Sequence, residues 1–204
     1  MRCRAASKLE KNELEPRLEQ AKAGQRSVFF VDAAHFVLGA YLGWFWCFAR
    51  VLVRAPSGRQ RFNVLGALHA ITHQLMTVTN DSYINAISVC ELLEKIAALG
   101  LSTPITVVMD NARSQRCRLV LERASQLGIE LLFLPPYSPN LNLIERLWRF
   151  VRKECLYSTY YEHFDAFKQA ITQCLTETTG RHQAALTRLL TLEFQTFESP
   201  SRDR

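Results

Sequence analysis

The 204-residue chain has no closely spaced cysteine pair, no apolar run long enough to cross a membrane and no internal repeat. Its six cysteines are Cys3, Cys47, Cys90, Cys117, Cys155 and Cys174, none in zinc-finger or thioredoxin-like spacing. Without a secretory signal, the expectation is reduced thiols in a cytosolic protein, most of them small buried apolar residues. The first 26 residues are charged and hold no apolar signal core. The most hydrophobic stretch, Phe36 to Ala49, is fourteen residues long and is followed by Arg50. It is too short for a bilayer. Its glycines and its aromatics Tyr41, Trp44, Phe45 and Trp46 suit a buried hairpin. Lysine is also scarce: nineteen of the twenty-five basic residues are arginine, and the formal net charge is +6. Arginine forks onto phosphate, so the bias points to a polyanionic partner. At 48% apolar and 22% charged residues, the composition excludes a disordered chain and suits one domain with a substantial core.

Residues 7–24 are polar and suit a short exposed helix, restarted at Pro16 and stopped at Gly24. Ser27–Val31 is a short β-rich run ending at Asp32. Further strands are expected within 40–53, at about 62–70 and at about 74–79, with a turn at Ala55–Gly58. The three opening strands, tightly linked, predict an antiparallel meander. The pattern then changes. Residues 82–99 place Ile84, Ile87, Leu92, Ile96 and Leu99 near helical spacing, and Gly100 closes that helix. Ile105–Met109 reads as a buried strand ending at Asp110. A helix over about 114–127 closes at Gly128, and a strand follows at Glu130–Leu134. This alternation implies parallel pairing. Leu134–Asn142 holds three prolines and is irregular. An amphipathic helix is predicted at about 143–155, with Leu147, Trp148 and Val151 inward. Another begins near Asp165, with Phe164, Phe167, Ile171 and Leu175 on one face.

Asp32 and Asp110 each follow a strongly apolar strand, where an α/β fold directs side chains into a ligand crevice. Taken singly, each also reads as a turn former or helix cap. Two such ends on adjacent strands would set two carboxylates a few ångströms apart, and a divalent cation is the natural relief of their repulsion. Glu145, in the first turn of the next helix, has its own local reading. Asn142 and Glu145 have capping-box spacing, and Arg149 lies one turn on.

Three motifs resolve these alternatives: FFVDAAHF at Phe29–Phe36, VVMDNAR at Val107–Arg113 and LPPYSPNLNLIERLW at Leu134–Trp148. With them the chain resembles transposases of the insertion sequence 630 family, bacterial relatives of the Tc/mariner group, over nearly all of residues 8–197. The 34 residues between Asp110 and Glu145 match the interval this group favours. The resemblance implies an α/β, ribonuclease H-like fold. Its mixed five-stranded sheet has three antiparallel strands, then two parallel ones, flanked by helices. It implies a DDE endonuclease and strand transferase whose catalytic and metal-binding residues are Asp32, Asp110 and Glu145. Two Mg²⁺ or Mn²⁺ ions about 3.5–4 Å apart would clamp the scissile phosphate, Asp32 bridging both and Asp110 and Glu145 each holding one. The implied partner is double-stranded DNA: transposon ends and, by resemblance, a TA target, engaged by a homodimer on the DNA. No membrane is involved, and the location is the bacterial cytoplasm, at the nucleoid when DNA-bound.

The expected DNA contacts are Asn111, Arg113, Arg146, Arg149, Arg152 and Lys153. Asn111 reads equally as a turn former, and the basic residues also read as a solvated helix face. His35 is expected to be a satisfied structural histidine, and Tyr137 a packing residue. The division predicted is a polar linker helix over 1–26, a catalytic domain over 27–197 and a frayed tail over 198–204. About 26 residues ahead of the first strand leave no room for the family's helix-turn-helix modules. The rival expectations are a non-catalytic DNA-binding or regulatory remnant and another ribonuclease H-like nuclease, such as a junction resolvase.

Overall fold

The computed structural model describes residues 9–39, 60–112, 115–136, 138–157 and 159–194. The chain opens with a π-helical turn, Glu10–Leu14, that runs into α1, Glu15–Lys22. Pro16 sits in the first turn, where its missing N–H is no loss. The sheet strands are β1 Ser27–Val37, β2 Arg61–His69, β3 Leu75–Asn80, β4 Ile105–Met109 and β5 Ile129–Phe133. The remaining helices are α2 Ala86–Ala97, α3 Arg118–Gln126, α4 Ile144–Val151, α5 Phe164–Thr176 and α6 Gln183–Leu189.

The strands form one sheet in the order β3-β2-β1-β4-β5. β1 pairs antiparallel with β2, and β2 with β3, while β4 and β5 add in parallel. The expected mixed five-stranded sheet is therefore present. The anticipated strand within 40–53 and the turn at 55–58 lie outside the described residues. β3 completes the antiparallel trio.

Strand alternation sends side chains to two cores. Val28, Phe30, Ala34 and Phe36 of β1 pack with α1, α4, α5 and α6 on one face. Phe29 and Val31 pack with α2 and α3 on the other. β4 is buried at every position, as its continuous apolar run predicts.

Three expectations need correction. The N-terminal helix is not an exposed linker: Leu14, Leu18 and Ala21 are buried in the α4-side core. Its polar composition hid a narrow apolar stripe at near-helical spacing. β1 does not end at Asp32 but continues to Val37, because nine residues of it pair with β2. And α2 starts only at Ala86, with Asn85 as N-cap accepting from Ser88 N at 3.0 Å. It turns Val89, Leu92, Leu93 and Ile96 inward, leaving Ile87 69% exposed. The predicted stops hold: Gly24, Gly100 and Gly128 all take positive φ, between 61° and 71°.

Candidate active site

The three acids arrive from three separate segments. Val31 pairs with Met109 in the parallel β1–β4 ladder, so Asp32 and Asp110 are the next residues on neighbouring strands. Asp32 shares its parity with Phe30 and Ala34, and Asp110 with Val108, all on the face covered by α4. Glu145 lies in the first turn of α4. That helix presents Ile144, Leu147, Trp148 and Val151 to the core at i, i+3, i+4 and i+7. Glu145 and Arg149 fall outside that stripe, half-buried and exposed respectively.

Electrostatics link the cluster. The Asp32 carboxyl is pushed up to about 7, first by burial and then by the negative charges of Glu145 and Asp110. Hydrogen bonds from the Ala33 backbone and the Trp148 indole partly offset this. The Trp148 bond runs from Nε1 to Asp32 Oδ2 at 3.1 Å. Asp110 is exposed, and its Oδ1 accepts a long 3.4 Å bond from Ala112 N.

The local alternative for Glu145 is not realised. The Asn142 side chain makes no cap; its Nδ2 donates to the Val31 carbonyl at 3.1 Å instead. Among the described residues the i,i+4 ion pairs are Glu91–Lys95, Arg118–Glu122 and Glu177–Arg181, and Glu145–Arg149 is not one of them. Carboxylate oxygens are the ligand type that hard divalent cations take. Among the described residues, no group of three or more His, Cys, Asp or Glu side chains stands close enough together to hold a metal ion.

Residues 27–168 match the family described as DDE superfamily endonuclease. The chain belongs to that superfamily.

The resemblance to insertion sequence 630 transposases is likewise supported. A protein of Shigella sonnei described as an insertion element IS630 uncharacterized 39 kDa protein is 26% identical over 133 residues. That match covers 62% of this chain and 38% of the relative. Among solved structures, the Mos1 mariner paired end complex with Mn superposes with a TM-score of 0.60 at 11% identity. It covers 94% of this chain and 64% of that one. The Mos1 transposase catalytic domain with Raltegravir and Mg gives a TM-score of 0.53 at 12% identity, covering 93% and 97%. At such identities the likeness is one of fold, and the fold of this DDE superfamily member is ribonuclease H-like.

Its predicted DNA-contacting residues are in varied surroundings. Arg149 and Lys153 are exposed. The Arg152 guanidinium lies 5.6 Å from the Phe36 ring centroid, beside the α4 face. Asn111 is exposed and accepts from Arg116 Nη1 at 3.3 Å. Arg146 is engaged elsewhere: it donates to the carbonyls of Leu189, Thr191 and Glu193 and sits over Phe194. It clamps the C-terminal segment, which its place on a basic helix could not reveal. Arg113 and Tyr137 lie outside the described residues. His35 bonds through Nδ1 to Asn63 Oδ1 at 2.6 Å, the structural role expected of it. Asn63 passes this on to Asn80 and the Ser82 carbonyl, a polar ladder across three strands.

Sequence reasoning missed the side chains around Asp32. Trp148 read only as core, Asn142 only as a cap, and Gly66 was not singled out. Gly66 pairs with Asp32 across the β1–β2 ladder. A Cβ there would lie 2.7 Å from Trp148 Cη2. A glycine inside an apolar strand was the available signal, since it marks a close approach.

Proposed function

We propose that this DDE endonuclease domain cuts and joins DNA at transposon ends, with Asp32, Asp110 and Glu145 as its metal-binding triad. The observation that carries the reading is geometric: the β1–β4 register sets Asp32 beside the end of β4 at Asp110, and the Trp148–Asp32 hydrogen bond holds α4, which carries Glu145, against β1. In this reading acids from a mid-strand position, a strand end and a helix start serve one site. A buried carboxylate facing two further negative charges opposes folding when unrelieved. A hard divalent cation relieves it.

In this reading Asp32 offers oxygens from the centre of the sheet, Asp110 from the end of β4 and Glu145 from the first turn of α4. Bound Mg²⁺ or Mn²⁺, two ions per site, supplies charge neutralisation at the scissile phosphate and activation of water or a DNA 3′-hydroxyl. The carboxylates act as ligands, not as general acids. Exposed Arg149 and Lys153, with Arg152 beside them, hold neighbouring phosphates. Arg146 is left out of this set because its guanidinium is engaged with the C-terminal segment. Asn111, at the rim beside Asp110, remains a candidate contact. The apolar packing beneath Asp32 keeps bulk water from one side of the cluster. The expected substrate is double-stranded DNA, with TA insertion and a DNA-bound homodimer following from the family resemblance.

The test is nicking of supercoiled plasmid with Mg²⁺ or Mn²⁺, set beside Asp110→Ala and Glu145→Gln. Both variants are expected to lose at least about a hundredfold in rate while melting no lower than the wild type. Equal nicking by Asp110→Ala, or nicking undiminished by chelator, would overturn the assignment. DNA retention without any metal-dependent nicking would favour the non-catalytic remnant instead.

A further inference from the structure

α4 is tied to β1 at the level of Asp32 by two hydrogen bonds and one absent side chain. The Trp148 indole holds Asp32 Oδ2 at 3.1 Å across 116 positions of chain. Asn142 Nδ2 holds the Val31 carbonyl, one residue before Asp32, at 3.1 Å across 111 positions. Gly66 leaves the space in which the indole lies; a Cβ there would also meet Ile144 Cδ1 at 2.9 Å. Glu145 sits midway between these two ties, three residues from each.

We propose that Trp148 and Asn142 are the positioning residues of the acid cluster. Trp148 sets the orientation of the Asp32 carboxylate, and Asn142 sets where Glu145 stands over β1. This inference rests on Asp32 and Glu145 being metal ligands, as proposed above. Two features separate it from simple packing. Trp148 is 1% exposed on an otherwise apolar stripe, where an aliphatic side chain would fill space without needing an acceptor. Its partner is a carboxylate, not a backbone carbonyl, so the bond is charge-assisted whenever Asp32 is ionised. Asn142 is 4% exposed, leaves its own helix uncapped and keeps a buried Oδ1 with no partner. A space-filling residue there would avoid that unsatisfied acceptor. Hydrogen bonds behind metal-binding groups commonly govern affinity without touching the ion.

The experiment measures Mn²⁺ binding by electron paramagnetic resonance titration of the full chain, with thermal unfolding recorded for every variant. Site-specific benzothienylalanine at position 148 keeps the ring shape and replaces the N–H by sulfur. Asn142→Ala removes the second tie without disturbing the ring, and Asp32→Ala is the reference. Asp32→Ala is expected to abolish saturable binding. The isostere and Asn142→Ala should each weaken Mn²⁺ binding about tenfold, the isostere still unfolding in one cooperative transition. Wild-type affinity in both, with binding lost in Asp32→Ala, would overturn the positioning roles and leave the metal assignment standing. Wild-type affinity in Asp32→Ala would overturn the metal assignment, and this inference with it.

Discussion

At the scale of single residues, Asp32 carries a physical conflict: a buried carboxyl faces two other acids. Its carboxyl is pushed up to about 7 by burial and by Glu145 and Asp110, against about 3.8 when unperturbed. The folded state therefore holds this proton more tightly than the unfolded state does. Below about pH 4 the side chain is neutral in both states and the penalty is absent. As pH rises towards 7 the unfolded chain ionises freely while the folded one resists, so stability falls. In chelator at pH 8, Asp32→Asn is expected to be more stable than the wild type by on the order of 2–4 kcal/mol. At pH 4 the two should melt together in urea. If the Asp32→Asn variant gained no more over wild type at pH 8 than at pH 4, the carboxylate would be better solvated than its surroundings imply.

At the scale of elements, the N-terminal helix is held by a polar clasp as well as by its apolar stripe. Glu130 on β5 accepts from Arg17 Nη2 at 2.5 Å, Arg26 Nη1 at 2.7 Å and Thr106 Oγ1 at 2.7 Å. The Arg17 hydrogen bond, ahead of the other contacts, holds its carboxyl down to about 2. The stabilisation is present in full above the ordinary carboxylate range, near pH 4.5, and is lost as pH falls towards 2. The Glu130 side chain is 39% exposed, so solvent weakens the clasp considerably. Glu130→Gln is expected to cost about 1 kcal/mol at pH 7 and nothing near pH 2. Hydrogen exchange should show α1 loosening before the sheet does. Uniform loosening of α1 and sheet together would mean that Leu14 and Leu18, not the clasp, hold the helix.

At the scale of the whole molecule, the proposed function makes net positive charge and its placement the determinants of encounter with DNA. The arginine excess is partly spent on internal contacts: Arg17 and Arg26 on Glu130, Arg123 on Glu94, Arg146 on the C-terminal segment. Arg149, Arg152 and Lys153 make none of the ion pairs found among the described residues, and they follow Glu145 in the chain within about two helical turns. For DNA binding measured against salt concentration, alanine at each of these three should reduce the slope by about one. Arg146→Ala should leave the slope nearly unchanged and lower thermal stability instead. The opposite ranking would place the phosphate track on the C-terminal side of α4.

Local pattern determined much of this protein. The apolar run of β4, the alternation of strands and helices and the glycine stops after α1, α2 and α3 were all legible. So was the inward stripe of α4, and the three motifs named the superfamily. Those features follow from backbone geometry and turn chemistry within a dozen residues. Tertiary structure alone decided that β1 runs on past Asp32, because ladder pairing with β2 extends it. It alone buried α1, left Ile87 outside and brought Cys155 beside Cys174. It also turned the Asn142 amide from its own helix to Val31 and the Trp148 indole to Asp32. Those bonds span more than a hundred positions of chain, and a donor's choice among distant acceptors depends on how whole layers stack, which no local periodicity encodes.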